Sequence, residues 1–262
     1  MGETMANILG RPVTWAMAAV FAGAQMAALS LAPPAAHADA FAKGAFVEGG
    51  VGGGFSSFDD LEFQNPVGEA FTTNATNGSK IVLTDKEESD ESISAKFGAG
   101  YRFGNALLRA SYSYLGDQTA SGFANFASGN FRQDLEVQAH SALIEAAYSQ
   151  PVSGKIFVEG SVGVGFAFLD AEGKQGENLN DDNFFPDETN VNFAVNAGAG
   201  VGYRLTDKAS LLLFGDYTYL GEASTDITDG TESTTGGGIN AGEQLSADIA
   251  VWRVMLSLRY QF

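Results

Sequence analysis

The chain has 262 residues, 45% of them hydrophobic, and a formal charge of −18, with 33 glycines, 6 prolines and no cysteine. The apolar fraction excludes a disordered chain, and the absence of cysteine excludes disulfides and thiolate metal sites. The acidity argues against nucleic acid as a partner, because phosphate binding needs clustered Lys and Arg.

Residues 1–38 read as a secretory signal. Arg11 precedes an apolar stretch from Val13 to Leu31, followed by Pro33-Pro34 and the A-x-A pattern Ala36-His37-Ala38. Ala38-Asp39-Ala40 offers a second cleavage site two residues on. Beyond this stretch no apolar run is long enough for a transmembrane helix, and residues 39–262 are expected to form one domain.

Eight strands are predicted in that domain: about Ala45 to Phe58, Ser92–Phe103, Ala106–Leu115, Leu135–Tyr148, Lys155–Phe168, Val191–Leu205, Ser210–Leu220 and about Leu245 to Phe262. Each alternates in the two-residue period of a strand. In the second, Ile93, Ala95, Phe97, Ala99 and Tyr101 oppose Ser94, Lys96, Gly98, Gly100 and Arg102. These lengths exceed the globular mode and suit a tilted membrane crossing. The non-apolar face is mostly Gly, Ser and Asn, which fits a confined lumen better than a solvated exterior. Tyr and Phe recur near the strand ends (Tyr101, Phe103, Tyr148, Tyr203, Tyr219, Tyr260), as an interfacial girdle requires.

Gly104-Asn105, Ser149–Gly154 and Thr206–Ala209 are tight turns, whereas Asp59–Glu91, Gly116–Asp134, Leu169–Thr189 and Gly221–Gln244 read as long loops holding nearly all the net negative charge. The two halves also repeat in order. Val47–Phe55 matches Val158–Phe166, Gly100–Phe103 matches Gly202–Leu205, and Tyr112–Asp117 matches Tyr217–Glu222. In the fourth strand the apolar parity switches between Ala139 and Ala142, and in the eighth between Val251 and Trp252, which predicts a β-bulge at each point.

The parity places Glu48, Lys96, Arg102, Arg109, Glu145, Glu159, Arg204, Asp216, Arg253 and Arg259 inside. Buried charges persist only when paired, so an ion-pair network is expected, with Arg259 beside Glu48, Glu48 beside Arg102 and Glu159 beside Arg204. Glu145 and Glu159 fall close together, a like-charge contact that a shared proton would relieve. Rows of inward glycines suggest spare room in the lumen. Among the loop acids, Asp181, Asp182, Asp187 and Glu188 are the best candidates for a cation or a basic partner, although their spacing is not that of an EF-hand loop.

Catalysis finds little support. After signal removal the one histidine is His140, and its neighbour Ser141 points to the opposite face of a strand. No nucleophile–base motif, phosphate loop or cofactor motif is present.

The last strand closes the reading. Val254, Leu256, Leu258, Tyr260 and Phe262 share one face, opposite Arg253, Met255, Ser257, Arg259 and Gln261. An edge so apolar would aggregate unless its apolar face met lipid and its ladder closed on the first strand. Leu258, Tyr260 and Phe262 resemble the terminal assembly signal of bacterial outer-membrane barrels. Together with the signal sequence, Gly98–Arg102 and its match Gly200–Arg204, Tyr-x-Tyr-Leu-Gly and the final Tyr-Gln-Phe, they make residues 41–262 resemble the outer-membrane-protein-A-type and opacity-protein-type barrels. That resemblance implies an all-β fold: an eight-stranded antiparallel transmembrane up-and-down barrel with four long acidic extracellular loops. It further implies periplasmic chaperones and the barrel-assembly machinery as partners in insertion, contact with outer-membrane lipid and lipopolysaccharide, and a structural role or surface contact with a host or surface ligand. The peptidoglycan-binding domain of the larger members is not expected. A small passive pore is the competing expectation.

Overall fold

The computed structural model describes residues 41–64, 80–87, 89–126, 129–176, 183–227 and 243–262; the expected signal sequence lies outside them. Among the described residues ten strands run in chain order: β1 (Gly44–Gln64), β2 (Lys80–Val82), β3 (Thr84–Glu87), β4 (Ser89–Phe103), β5 (Ala106–Phe126), β6 (Gly129–Ser153), β7 (Ile156–Gly176), β8 (Asn183–Arg204), β9 (Ala209–Ser224) and β10 (Gln244–Gln261). Leaving aside the short β2 and β3, eight strands pair antiparallel with their neighbours in sequence, and β10 pairs back on β1 from Phe46↔Gln261 to Gln64↔Gln244. The ring is closed and has no free edge at this level. These are the eight strands the alternation predicts.

The strands outrun their predicted ends on the side away from the short turns. β5 continues to Phe126 and β6 begins at Gly129, so most of the stretch read as a loop over Gly116–Asp134 is a hairpin. β7 likewise runs to Gly176 and β8 starts at Asn183. The cause is a change of surroundings along the strands. In the lower part, next to the short turns, apolar side chains such as Phe97, Ile144, Val164, Phe193 and Leu256 are exposed on the outer face while charged and small polar ones point in. In the upper part the sense inverts. Phe58, Leu61, Phe63, Leu115, Leu135, Val137, Leu169, Phe185, Leu220, Leu245 and Ile249 point in and form one continuous core. Lipid outside demands one pattern and water outside demands the other.

This inversion corrects the bulge assignment. β6 keeps an unbroken register with β7 from Arg132↔Gly176 to Pro151↔Phe157, and β10 keeps one with β1 from Phe46↔Gln261 to Asp59↔Asp248. Neither strand bulges where its parity appears to switch. The bulges lie instead on their partners, where the register slips between Tyr114 and Gly116 of β5 and opposite Ile249/Ala250 on β9. Gly116 (φ 97°) and Gly221 (φ 85°) supply the left-handed backbone that such bulges need. The repeated Tyr-x-Tyr-Leu-Gly is therefore the bulge motif.

At the same two places the ring opens. Pairing of β4 with β5 stops at Ala95↔Tyr114, and pairing of β8 with β9 stops at Val195↔Tyr219. Above these points β5-β6-β7-β8 and β9-β10-β1-β4 continue as two sheets facing each other across the apolar core, an arrangement of sandwich type. Side chains lace the seams. Ser92 and Ser94 donate to the Leu115 carbonyl (2.9 and 3.3 Å), while Asn192 and Asn190 donate to the carbonyls of Glu222 and Ser224 (both 2.6 Å). β3 pairs with β5 above the first seam.

Candidate functional site

Inward parity brings charges from seven strands into the lower lumen, where Glu48, Lys96, Arg102, Arg109, Glu145, Glu159, Asp216, Arg253 and Arg259 are all buried. Glu159 is the acceptor of a two-pronged pair from Arg259, with Nη1 and Nη2 at 2.6 and 2.7 Å, and takes a third bond from Ser149 Oγ at 2.7 Å. Arg259 Nε reaches Glu48 at 2.6 Å. Arg109 donates to Glu48 (3.0 Å) and Glu145 (2.8 Å) and lies 3.6 Å from Glu159. Lys96 Nζ stands 2.6 Å from Glu145, which also accepts from Ser111. Asp216 and Arg253 form a separate two-pronged pair at 2.9 and 3.1 Å. Desolvated charges of this kind are tolerable only because each carboxylate has more than one donor.

Of the expected pairs Arg259 with Glu48 is present, and the other two differ. Glu48 faces Arg109 and Arg259 rather than Arg102, and Glu159 faces Arg259 rather than Arg204. Arg109 lies between Glu145 and Glu159 and bonds or approaches both, so their proximity needs no shared proton. Several of these contacts cross the lumen between strands that are not neighbours (β5 to β1, β10 to β7), which neighbour registers do not reveal. Arg204 donates to the Gly154 carbonyl at 2.8 Å. Arg102 has a 4.0 Å approach to Glu159, a 3.4 Å bond to the Gly104 carbonyl and the face of the Phe41 ring.

The inward glycines do not leave room. A Cβ on Gly202 would fall 2.0 Å from the Phe157 ring, one on Gly198 2.5 Å from the Phe214 ring, and one on Gly163 2.8 Å from Glu145. Their absent side chains are filled by neighbours, which is a packing role.

Outside the barrel, at the height of the bulges, His140 stacks on Tyr112 (5.7 Å between ring centroids), whose hydroxyl lies 2.8 Å from His140 Nδ1. Ser141 is fully buried on the opposite face. Just above, Asp117 accepts from Gln138 and Tyr114, both at 2.9 Å, and these hydrogen bonds hold its carboxyl below the usual range. Asp117, Glu136, Asp170 and Glu172 line an outward groove of about 250 Å³, with Lys174 on Glu136 at 2.6 Å. Among the described residues no three metal-ligating side chains converge to hold an ion. Asp187 and Glu188 are exposed on β8, whereas Asp181 and Asp182 lie outside the described residues. At the chain's end Leu258, Tyr260 and Phe262 are exposed on the lipid face, and Phe262 donates its backbone N–H to Ala45 (3.0 Å).

Two features have little trace in the sequence pattern as read: the apolar core above the bulges, and Phe41 beneath the charged layer. The one mark of the first is the parity switch, which lipid outside the lower strands and water outside the upper ones produce.

No curated protein matches the chain. Among solved structures it is similar to Neisserial surface protein A (12% identity, 84% of this chain and 99% of that one, TM-score 0.44). It is also similar to the outer membrane protein OprG from Pseudomonas aeruginosa (14%, 84% and 97%, 0.48) and to the outer membrane protease OmpT from Escherichia coli (10%, 88% and 100%, 0.41). The family model for the outer membrane protein beta-barrel domain matches residues 26–259. The exposed apolar belt, the closed ring of eight antiparallel strands and that match together make the chain a member of the outer membrane protein beta-barrel family, resident in the outer membrane.

Proposed function

We propose that this protein is a non-enzymatic, non-conducting barrel that braces the outer membrane and presents an acidic surface to a basic partner outside the cell. The observation that carries the reading is the double filling of the interior. A layer of paired charges fills the lower lumen, and an apolar core fills the upper part. Eight-stranded barrels are narrow enough for their side chains to fill, and water would have to cross both layers. The groove of Asp117, Glu136, Asp170 and Glu172, with Asp187 and Glu188 exposed on β8, gives the outer surface its sign. Such a field attracts Lys- and Arg-rich surfaces. Periplasmic chaperones and the barrel-assembly machinery would deliver the chain to the membrane, with Leu258, Tyr260 and Phe262 as its signal, and lipopolysaccharide would surround the upper strands.

Planar-bilayer recording of the purified protein tests the reading. Silence across ±100 mV-scale potentials is expected; steady unit conductance from the wild type would overturn it in favour of a small passive pore.

A further inference from the structure

On the side of the short turns the lumen ends on an aromatic ring. Phe41 precedes β1 and stands outside the strand ladder, yet it is only 9% exposed. Its ring meets Phe157 edge-on at 5.1 Å and packs with Leu212. Two guanidiniums face it, Arg102 at 4.1 Å and Arg204 at 5.2 Å from the ring centroid.

The buried charges beside it do not cancel. Lys96, Arg102, Arg109, Arg253 and Arg259 oppose Glu48, Glu145, Glu159 and Asp216. Four of these cations hold a carboxylate at hydrogen-bond distance. The surplus is Arg102. It is 2% exposed, stands 4.0 Å from its nearest carboxylate oxygen, and has no partner for Nε among the described residues. Arg204, at the same mouth, bonds a carbonyl. A ring face stabilises a cation far less than an anion does.

We propose that Arg102 and Arg204 form an oxyanion-binding site at the periplasmic mouth, and that Phe41 is the chain's own cover over it. Guanidinium forks match the geometry of phosphate and carboxylate oxygens, and two of them face the position that the ring holds. The cover can depart without breaking the ladder, since Phe41–Lys43 precede the first strand, and its departure costs one side-chain hydrogen bond, from Gln261 Nε2 to the Ala42 carbonyl at 2.7 Å. The proposal is independent of whether the lumen conducts.

The test uses the protein folded in detergent, with inorganic phosphate as the probe and phenylglyoxal as the reporter of accessible guanidinium. In the wild type Arg102 and Arg204 should react slowly. In Phe41→Ala both should react at least tenfold faster, phosphate should restore protection, and calorimetry should show phosphate binding at least tenfold tighter than in the wild type. Adding Arg204→Gln to Phe41→Ala should reverse that gain. A Phe41→Ala protein that migrates as the folded species on an unheated gel, but gains neither reactivity nor phosphate affinity, overturns the proposal. If that variant does not fold, the wild type and Arg204→Gln are compared by the same phosphate calorimetry: the wild type should bind phosphate at least tenfold more tightly, and equal affinity overturns the proposal.

Discussion

Glu159 accepts three hydrogen bonds and Glu145 meets Lys96, Arg109 and Ser111, whereas Glu48 shares both of its arginines with another carboxylate. The three buried acids are therefore unequal. Removing Glu159 takes the two-pronged partner from Arg259, leaving it Glu48 alone, and removes the nearest carboxylate of Arg102, which should cost about 3–5 kcal/mol, the usual loss for breaking a buried pair. Glu48→Ala leaves Arg259 on Glu159 and Arg109 on Glu145, so a loss of about 1.5–3 kcal/mol is expected, the scale of a hydrogen bond to a charged group. Urea unfolding midpoints in lipid vesicles rank the two, and equal midpoints would contradict the geometry. Above the membrane, Asp117 carries a pH signature. Its folded carboxyl titrates below its unfolded value of about 3.9, so its contribution is complete above that value and disappears as the pH falls through the lower, folded one. Asp117→Asn should therefore lower the thermal midpoint slightly at neutral pH and leave it unchanged in strong acid.

At the scale of elements, the glycine bulges decide where one environment hands over to the next. A side chain on Gly116 would put its Cβ 2.4 Å from Ser92 Cβ, and one on Gly221 would fall 2.9 Å from Asn192, both at positive φ. Gly104 shares the positive φ but faces open space. Gly116→Val and Gly221→Val should each lose more than the roughly 1–3 kcal/mol of backbone strain alone, and should lower outer-membrane yield more than Gly104→Ala does. The eight strands, their inward and outward faces and the short turns were legible because period-two alternation reports burial directly. The ends of β5 to β8 were not, because their outward side chains above the bulges, such as Asp117, Thr119, Asp170 and Glu172, are polar or charged and read as loop. The cross-lumen pairs of Arg109 with Glu48 and Arg259 with Glu159 depend on how far the strands tilt and stagger, which no single strand records.

For the molecule as a whole, closure depends on the last strand meeting the first. Phe262 bonds Ala45 through its backbone and meets the Tyr260 ring edge-on at 5.4 Å. Deleting Phe262 should reduce outer-membrane yield severely while changing the unfolding midpoint of whatever folds by only about 1 kcal/mol, the worth of one hydrogen bond and an exposed ring contact. A large drop in that midpoint with normal yield would assign the residue to stability rather than to delivery.

The outer face passes from the rings of Tyr112, Tyr114 and Trp252 to the carboxylates of Asp117, Asp170, Glu222 and Asp248 across the level of Gly116 and Gly221. This transition is a waterline. One residue of strand is about 3.3 Å, so sinking by two would drag acids into hydrocarbon, and rising by two would lift aromatic rings into water. The barrel has a single resting height. A thicker bilayer must thin around it, because tilting or floating upward would wet one side of the belt. Its rim of distorted lipid, and the tendency of such rims to draw neighbouring barrels together, should grow with acyl-chain length.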